Sequence, residues 1–215
     1  TVYWAAGAMA LHALLAYGAQ YAFTYLGTTV VFALIVESVG VKTGWPFGTY
    51  EYDPSLGHTI AGVPYVVPFA WVMMAHPVLV AARRVAGNWV FLYGGFGLMA
   101  YDLFLDPQMV SAGRWTWEVT GSHVPFTPEV PLSNAVGWLL SGMALTALLH
   151  LSLPRERRKV SAGFAAIDIF LIWTWFAGVI SNLFFFDRPG IAFIFGLTFG
   201  AVLAPFIFSR WLGRP

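Results

Sequence analysis

About seven stretches of roughly 16 to 25 predominantly apolar residues divide this chain, close to the length an α-helix needs to cross the hydrocarbon core of a bilayer. Backbone amides and carbonyls find no water in lipid, so each stretch has to satisfy its hydrogen bonds internally, as a helix. The stretches run over 2–17, 19–39, 62–82, 87–105, 133–153, 162–186 and 190–209. They predict an all-α polytopic membrane protein, a single transmembrane helical domain over 1–215, with an eighth helix before residue 1 left open by the Thr start. No basic segment leading into a small-residue cleavage site is visible, so no signal peptide is expected in this sequence. Only 10% of the residues are charged, against roughly a quarter in soluble domains, which excludes a soluble enzyme. The absence of Cys excludes thiolate nucleophiles, disulfides and Cys-ligated zinc or iron–sulfur centres. A net charge of +1 gives no argument for a nucleic-acid partner.

Placement of the basic residues predicts orientation, because cytoplasmic loops are enriched in Lys and Arg. Arg83, Arg84, Arg155, Arg157, Arg158, Lys159, Arg210 and Arg214 fall on one side, whereas Lys42, Arg114 and Arg188 fall on the other. A cytoplasmic C-terminus follows. The Arg155 to Lys159 run reads as a solvated topogenic loop, with an anionic-lipid site as the alternative. On the opposite side lie two long connections, 40–61 and 106–132, rich in Gly, Pro, Trp and Tyr. They are too long for simple connectors and are expected to fold over the helix ends and carry function.

Ionisable groups inside spans are costly and mark functional candidates. Glu37, Asp102, Asp106, Asn134, Asn182 and Asp187 all fall near the non-cytoplasmic ends of their helices, which predicts one shared polar cavity. Asp102 and Asp106 are spaced i, i+4 and share a helix face. Two acids so close under an apolar ceiling predict one neutral carboxyl able to donate a proton. The bland alternatives pair one Asp with Arg114, end the helix at Asp106 before Pro107, and pair Glu37 with Lys42. Asp168 lies near the other end and is expected to pair with an Arg there.

Other chemistries are disfavoured by spacing. His12, His58, His76, His123 and His150 include no i+3 or i+4 pair, unlike membrane di-iron enzymes, and both Lys residues lie in connections, where no retinal Schiff base can form. Gly95, Gly97 and Ala100 fit a dinucleotide-binding pattern but lie inside an apolar span without a preceding strand. Gly196 and Gly200 form a close-packing face expected within the bundle. Asp102 and Asp106 also make a DxxxD motif, half of what an intramembrane prenyltransferase uses to hold magnesium diphosphate. Among the abundant aromatics, Tyr50, Tyr52, Trp71, Tyr101, Trp115, Trp117, Trp138, Trp173 and Trp175 include several expected near the cavity, where electron-rich faces stabilise cations.

Four segments carry a more specific signal: VESVGVKTGWPFGTYEYDPSLG from Val36, GVPYVVPFAW from Gly62, LDPQMVSAGRWTWE from Leu105 and PLSNAVGWLLSGM from Pro131. Their order and spacing resemble the membrane-integral carotenoid biosynthesis family that includes the CruF-type carotenoid 1,2-hydratases, most strongly over residues 30–145. The resemblance implies addition of water to the terminal C1=C2 double bond of an acyclic ψ-end group, without metal, cofactor or dioxygen. It implies a carotenoid substrate entering from the lipid bilayer, with water as co-substrate. Alkene hydration needs an acid, a face that stabilises a tertiary carbocation, and a polar group that holds water. Glu37 or Asp102 is the candidate acid, and Asn134 or Asp106 the water holder. Tyr50, Tyr52, Trp71, Tyr101, Trp115, Trp117 and Trp138 are the candidate substrate contacts. A carotenoid cyclase or prenyltransferase, and a non-catalytic carotenoid binder or transporter, are the competing readings. Oligomeric state is not readable from the sequence.

Overall fold

The computed structural model describes residues 1–154 and 165–213. Among the described residues seven helices make the bundle: α1 (Val2–Tyr17), α2 (Ala19–Thr43), α3 (Val66–Val85), α4 (Val90–Ser111), α5 (Leu132–Ser152), α6 (Ala165–Phe184) and α7 (Pro189–Trp211). Of these, α2, α3, α5, α6 and α7 are long and apolar enough to cross a membrane by length and composition. The chain is thus an all-α polytopic integral membrane protein. Exposed Leu, Ile, Phe and Trp side chains on α1, α2, α6 and α7, among them Leu15, Ile35, Trp173 and Phe193, give the bundle an apolar exterior suited to lipid.

The most enclosed helix is α3, whose buried residues run almost without break from Trp71 to Ala82, and α1, α2, α4 and α7 pack around it. The tightest helix pair is α4 with α5, and glycines make it possible. A Cβ added at Gly95 would come within 2.8 Å of both the Leu139 carbonyl and the Met143 amide, and one at Gly142 within 3.0 Å of Gly95 Cα. Gly95→Ala should therefore force the helices apart and lower stability by about 1–3 kcal/mol. A thermal melt in detergent measures this, and an unchanged transition refutes it. The glycines of the apparent dinucleotide pattern are thus helix-packing residues. Gly196 and Gly200 likewise face Val179 and Trp175 of α6, inside the bundle as expected.

Several helix ends differ from the sequence reading; α3, for one, runs over Val66–Val85 rather than 62–82, because Val63–Pro64 pair as a strand with Thr59–Ile60. Instead of stopping at 39, α2 continues to Thr43, placing Lys42 in its last turn, and it ends where Gly44 takes the left-handed conformation at φ 74° and returns its amide to Gly40. Polar residues beyond the apolar run end the membrane segment without ending the helix. Similarly, α4 passes through Asp106 and Pro107 to Ser111. Proline removes one amide donor, but the turn after it is secured by Ser111 Oγ donating to the Pro107 carbonyl at 2.8 Å.

The two long connections fold over one end of the bundle. In them β1 (Tyr50–Tyr52) pairs antiparallel with β4 (Trp115–Trp117), in the register Tyr50 to Trp117 and Tyr52 to Trp115. The hairpin of β2 (Thr59–Ile60) and β3 (Val63–Pro64) precedes α3, and that of β5 (His123–Val124) and β6 (Thr127–Pro131) leads into α5. Arg188, just before α7, ties this cap together by a 2.8 Å ion pair with Glu129 and a 2.6 Å bond to Ser111 Oγ.

At the other end Arg84 bonds Ser209 Oγ at 2.8 Å, and Arg210 pairs with Asp168 at 2.8 Å. Asp168 thus finds its Arg on α7. Of the basic residues assigned to this side, Arg155, Arg157, Arg158, Lys159 and Arg214 lie outside the described residues.

Candidate active site

Beneath the β1–β4 pair a cavity of about 230 Å³ opens between α2, α3, α4 and α5. Each polar wall residue is placed by an identifiable device. Glu37 lies one and a half turns before the end of α2. Asp102 and Asp106 share one face of α4, and Asn134 sits in the first turn of α5. All four are buried and line the cavity.

Glu37 is held by three donors from two parts of the chain, β1 and α3. Tyr50 and Tyr52 hydroxyls donate to Oε2 at 2.6 and 2.9 Å, and Trp71 Nε1 donates to Oε1 at 2.9 Å. Three donors converging on two oxygens is the pattern a carboxylate takes. Burial first, and Glu37 beside them second, push both phenols well above the usual tyrosine range, so each stays a donor. Alternation along β1 would put Tyr50 and Tyr52 on the same face of a strand, which is why both reach one carboxyl. Lys42 does not pair with Glu37.

The second cluster is the acid pair. Asn134 Nδ2 donates to Asp102 Oδ2 at 2.8 Å and also to Asp106 Oδ2, while Trp115 Nε1 donates to Asp106 Oδ1 at 3.1 Å. The same amide nitrogen thus bridges the two carboxyl groups and holds them side by side. Two buried polar atoms of cavity-lining residues have no hydrogen-bond partner among the described residues: Asp102 Oδ1 and Trp117 Nε1. Arg114 bonds Ser55 Oγ at 2.8 Å rather than either Asp.

The remaining wall is aromatic and apolar. Trp71 and Trp138 stack with ring centroids 4.2 Å apart and 14° between planes, and Phe47 packs on Trp138. Tyr50, Tyr52, Trp71, Trp115, Trp117 and Trp138 therefore all line the cavity, as do Glu37, Asp102, Asp106 and Asn134.

Tyr101 does not. It precedes Asp102 by one residue, about 100° round the helix, and packs against Phe170 and Phe199 on the α6–α7 side. Asn182 and Asp187 are also outside the cavity. Asn182 Nδ2 bonds the Gly178 carbonyl of its own helix at 2.9 Å, and Asp187 is exposed in the turn before α7. Trp173 faces outward, and Trp175 bonds the Gly196 carbonyl. Sequence reasoning missed Phe47, Met73 and Met74 as wall residues, although Phe47 sits between the Gly44 and Gly48 turns of the first long connection.

The histidines also depart from expectation. Isolated along the chain, His12 and His76 nevertheless meet between α1 and α3, with Nδ1 of one 2.9 Å from Nε2 of the other, and His150 accepts from Arg83 Nε at 3.2 Å. Spacing within one helix says nothing about neighbours on different helices.

The family model described as carotenoid biosynthesis protein matches residues 2–203. The chain belongs to this family. Among curated proteins it is similar to the bisanhydrobacterioruberin hydratase of Haloarcula japonica, with 34% identity over 160 residues. The match covers 70% of this chain and 52% of that protein, so the chain spans about half the length of its curated relative. No solved structure matches the chain. All four family-like segments border the cavity: Glu37, Phe47, Tyr50 and Tyr52 come from the first, Val66, Val67, Ala70 and Trp71 from the second, Asp106 and Trp115 from the third, and Asn134 and Trp138 from the fourth.

Proposed function

We propose that this protein is a carotenoid hydratase that adds water across the terminal C1=C2 double bond of an acyclic ψ-end group, giving a tertiary alcohol. The observation that carries the reading is one cavity in which an acid pair bridged by Asn134, a carboxyl held by three donors and a stacked Trp pair meet. Similarity to a relative named as a hydratase supports it independently.

Asp102 is the proton donor in this reading. Its proton goes to C2, the less substituted carbon, and the alkene electrons form the new C–H bond, leaving a tertiary cation at C1. The faces of Trp71 and Trp138 and the Glu37 carboxylate stabilise that cation. Water, held by the free Trp117 N–H, adds its oxygen to C1 and loses a proton to Asp106. The pair returns to its single-proton state, so no cofactor is consumed. Asn134 acts as a positioning residue that holds the two acids together. The Arg-bearing end of the bundle faces the cytoplasm, which puts the cavity on the other side.

Chromatography with mass spectrometry on pigments from lycopene-producing cells expressing this chain tests the reaction. The expected product is more polar and heavier by one water, with its oxygen drawn from heavy-oxygen water. A polar product carrying oxygen from dioxygen, or an isomer of unchanged mass, refutes hydration, the latter in favour of cyclisation. If lycopene is untouched, γ-carotene and bisanhydrobacterioruberin are the next substrates, and inertness toward all three leaves binding or transport.

A further inference from the structure

Volume limits what the site can enclose. At about 230 Å³ the cavity falls below the roughly 300–1,000 Å³ of pockets that enclose a drug-sized ligand. A carotenoid is several times larger. Its deep end is closed by buried Trp71, Trp138 and Phe47, so the rest of the molecule has to leave through an opening.

The cavity reaches the surface in two chemically different places. Toward the cap it meets exposed Arg114 and partly exposed Leu56, an aqueous mouth. Along the bundle it meets Val66 and Ala70 of α3 and Leu105 and Met109 of α4, all apolar and partly exposed, and Thr1 and Val2 at the start of α1 also line it. Each of the α3 and α4 pairs is spaced i, i+4, and so forms a short row along its helix. At 100° per residue, Asp102 and Asp106 occupy one edge of the cavity-facing stripe of α4, and Leu105 and Met109 the other. The stripe of α3 continues inward through Met73 and Met74. Acid chemistry and apolar passage are therefore separated across a single helix face.

We infer that the passage between Val66 and Ala70 on one side and Leu105 and Met109 on the other holds the hydrocarbon chain of the substrate, so that only its end group enters. Water arrives by the Arg114 mouth, and the remainder of the chain stays in the bilayer. This rests on the hydratase reading and extends it to a substrate class: acyclic isoprenoids ending in a double bond that bears two methyl groups, irrespective of length or conjugation. Ala70, the smallest side chain of the passage, determines whether a long chain fits.

The test uses the protein in lipid vesicles with heavy-oxygen water and three probes: lycopene, squalene, which is unconjugated, and geraniol, which is two isoprene units long. Wild type is expected to label all three. Ala70→Trp should lower the turnover of lycopene and squalene at least tenfold more than that of geraniol. Leu105→Trp, on the opposite wall, should give the same split, and thermal melts of both variants confirm folding. Labelling of lycopene alone by wild type overturns the inference and leaves the hydratase reading intact. So does loss of all three substrates in equal measure by folded variants. Absence of label from every probe with wild type overturns this inference, and the hydratase reading falls with it only if γ-carotene and bisanhydrobacterioruberin also stay unlabelled.

Discussion

Asp102→Asn should abolish hydration, with turnover falling by about 10²–10⁴-fold, while the protein folds as before. The loss follows from chemistry, because an amide has no proton to give an alkene and general acid catalysis is worth that much. Folding survives because of the bonds that Asp102 makes. Its Oδ2 accepts from Asn134 at 2.8 Å, and its Oδ1 has no partner among the described residues. The amide oxygen of an Asn takes the first place and the NH₂ takes the second, facing a cavity that also offers Asp106 as acceptor. The melting temperature in detergent should stay within a few degrees of wild type. Asp106→Asn should behave differently. Trp115 donates to one oxygen of Asp106 and Asn134 to the other, so an amide in either orientation sets two donors against each other. This costs about 1–3 kcal/mol. Paired activity assays and melts separate the two variants: inactive and stable for the first, inactive and weakened for the second. Full activity of Asp102→Asn removes Asp102 as the proton donor.

The spans were legible because lipid tolerates few alternatives to an apolar helix, and the seven stretches became seven helices. Helix ends were less so. Lys42 and Thr43 ended the apolar run but not α2, and Gly44 was the physical stop. Of the site, its residues were more legible than its geometry. Glu37, Asp102, Asp106 and Asn134 stood out because polar groups at membrane depth are conspicuous, and the structure brings the four together. What grips Glu37 was not legible. Tyr50 reaches it only because β1 pairs with β4, a contact between loops more than sixty residues apart, and Trp71 reaches it from α3. Tyr101 failed by one residue of helical phase. Tyr50, Tyr52 and Trp115 were chosen for their type and found their roles through that same long-range pairing.

Glu37→Gln should lower kcat by about 10²–10³-fold and leave KM nearly unchanged. The cation that Glu37 faces exists only during reaction, so loss of the negative charge weakens the transition state and not substrate binding. The fold has a way to accept the amide. Trp71 Nε1 is a donor that cannot act as acceptor, which turns the Gln oxygen toward it, while the NH₂ then faces Tyr50 and Tyr52, whose hydroxyl oxygens can accept. Stability should fall by only about 1 kcal/mol. Glu37→Ala lacks this escape, since it leaves the Trp71 N–H and the Tyr52 hydroxyl without their acceptor and Tyr50 with only the Glu37 carbonyl at 3.4 Å, each lost acceptor costing about 1–3 kcal/mol. It should be poorly folded as well as inactive. Steady-state kinetics on the Gln variant, beside melts of both, decide the point. A rise in KM with kcat unchanged would mean that Glu37 binds substrate, and equal stability of the Gln and Ala variants would mean that the three donors are satisfied elsewhere.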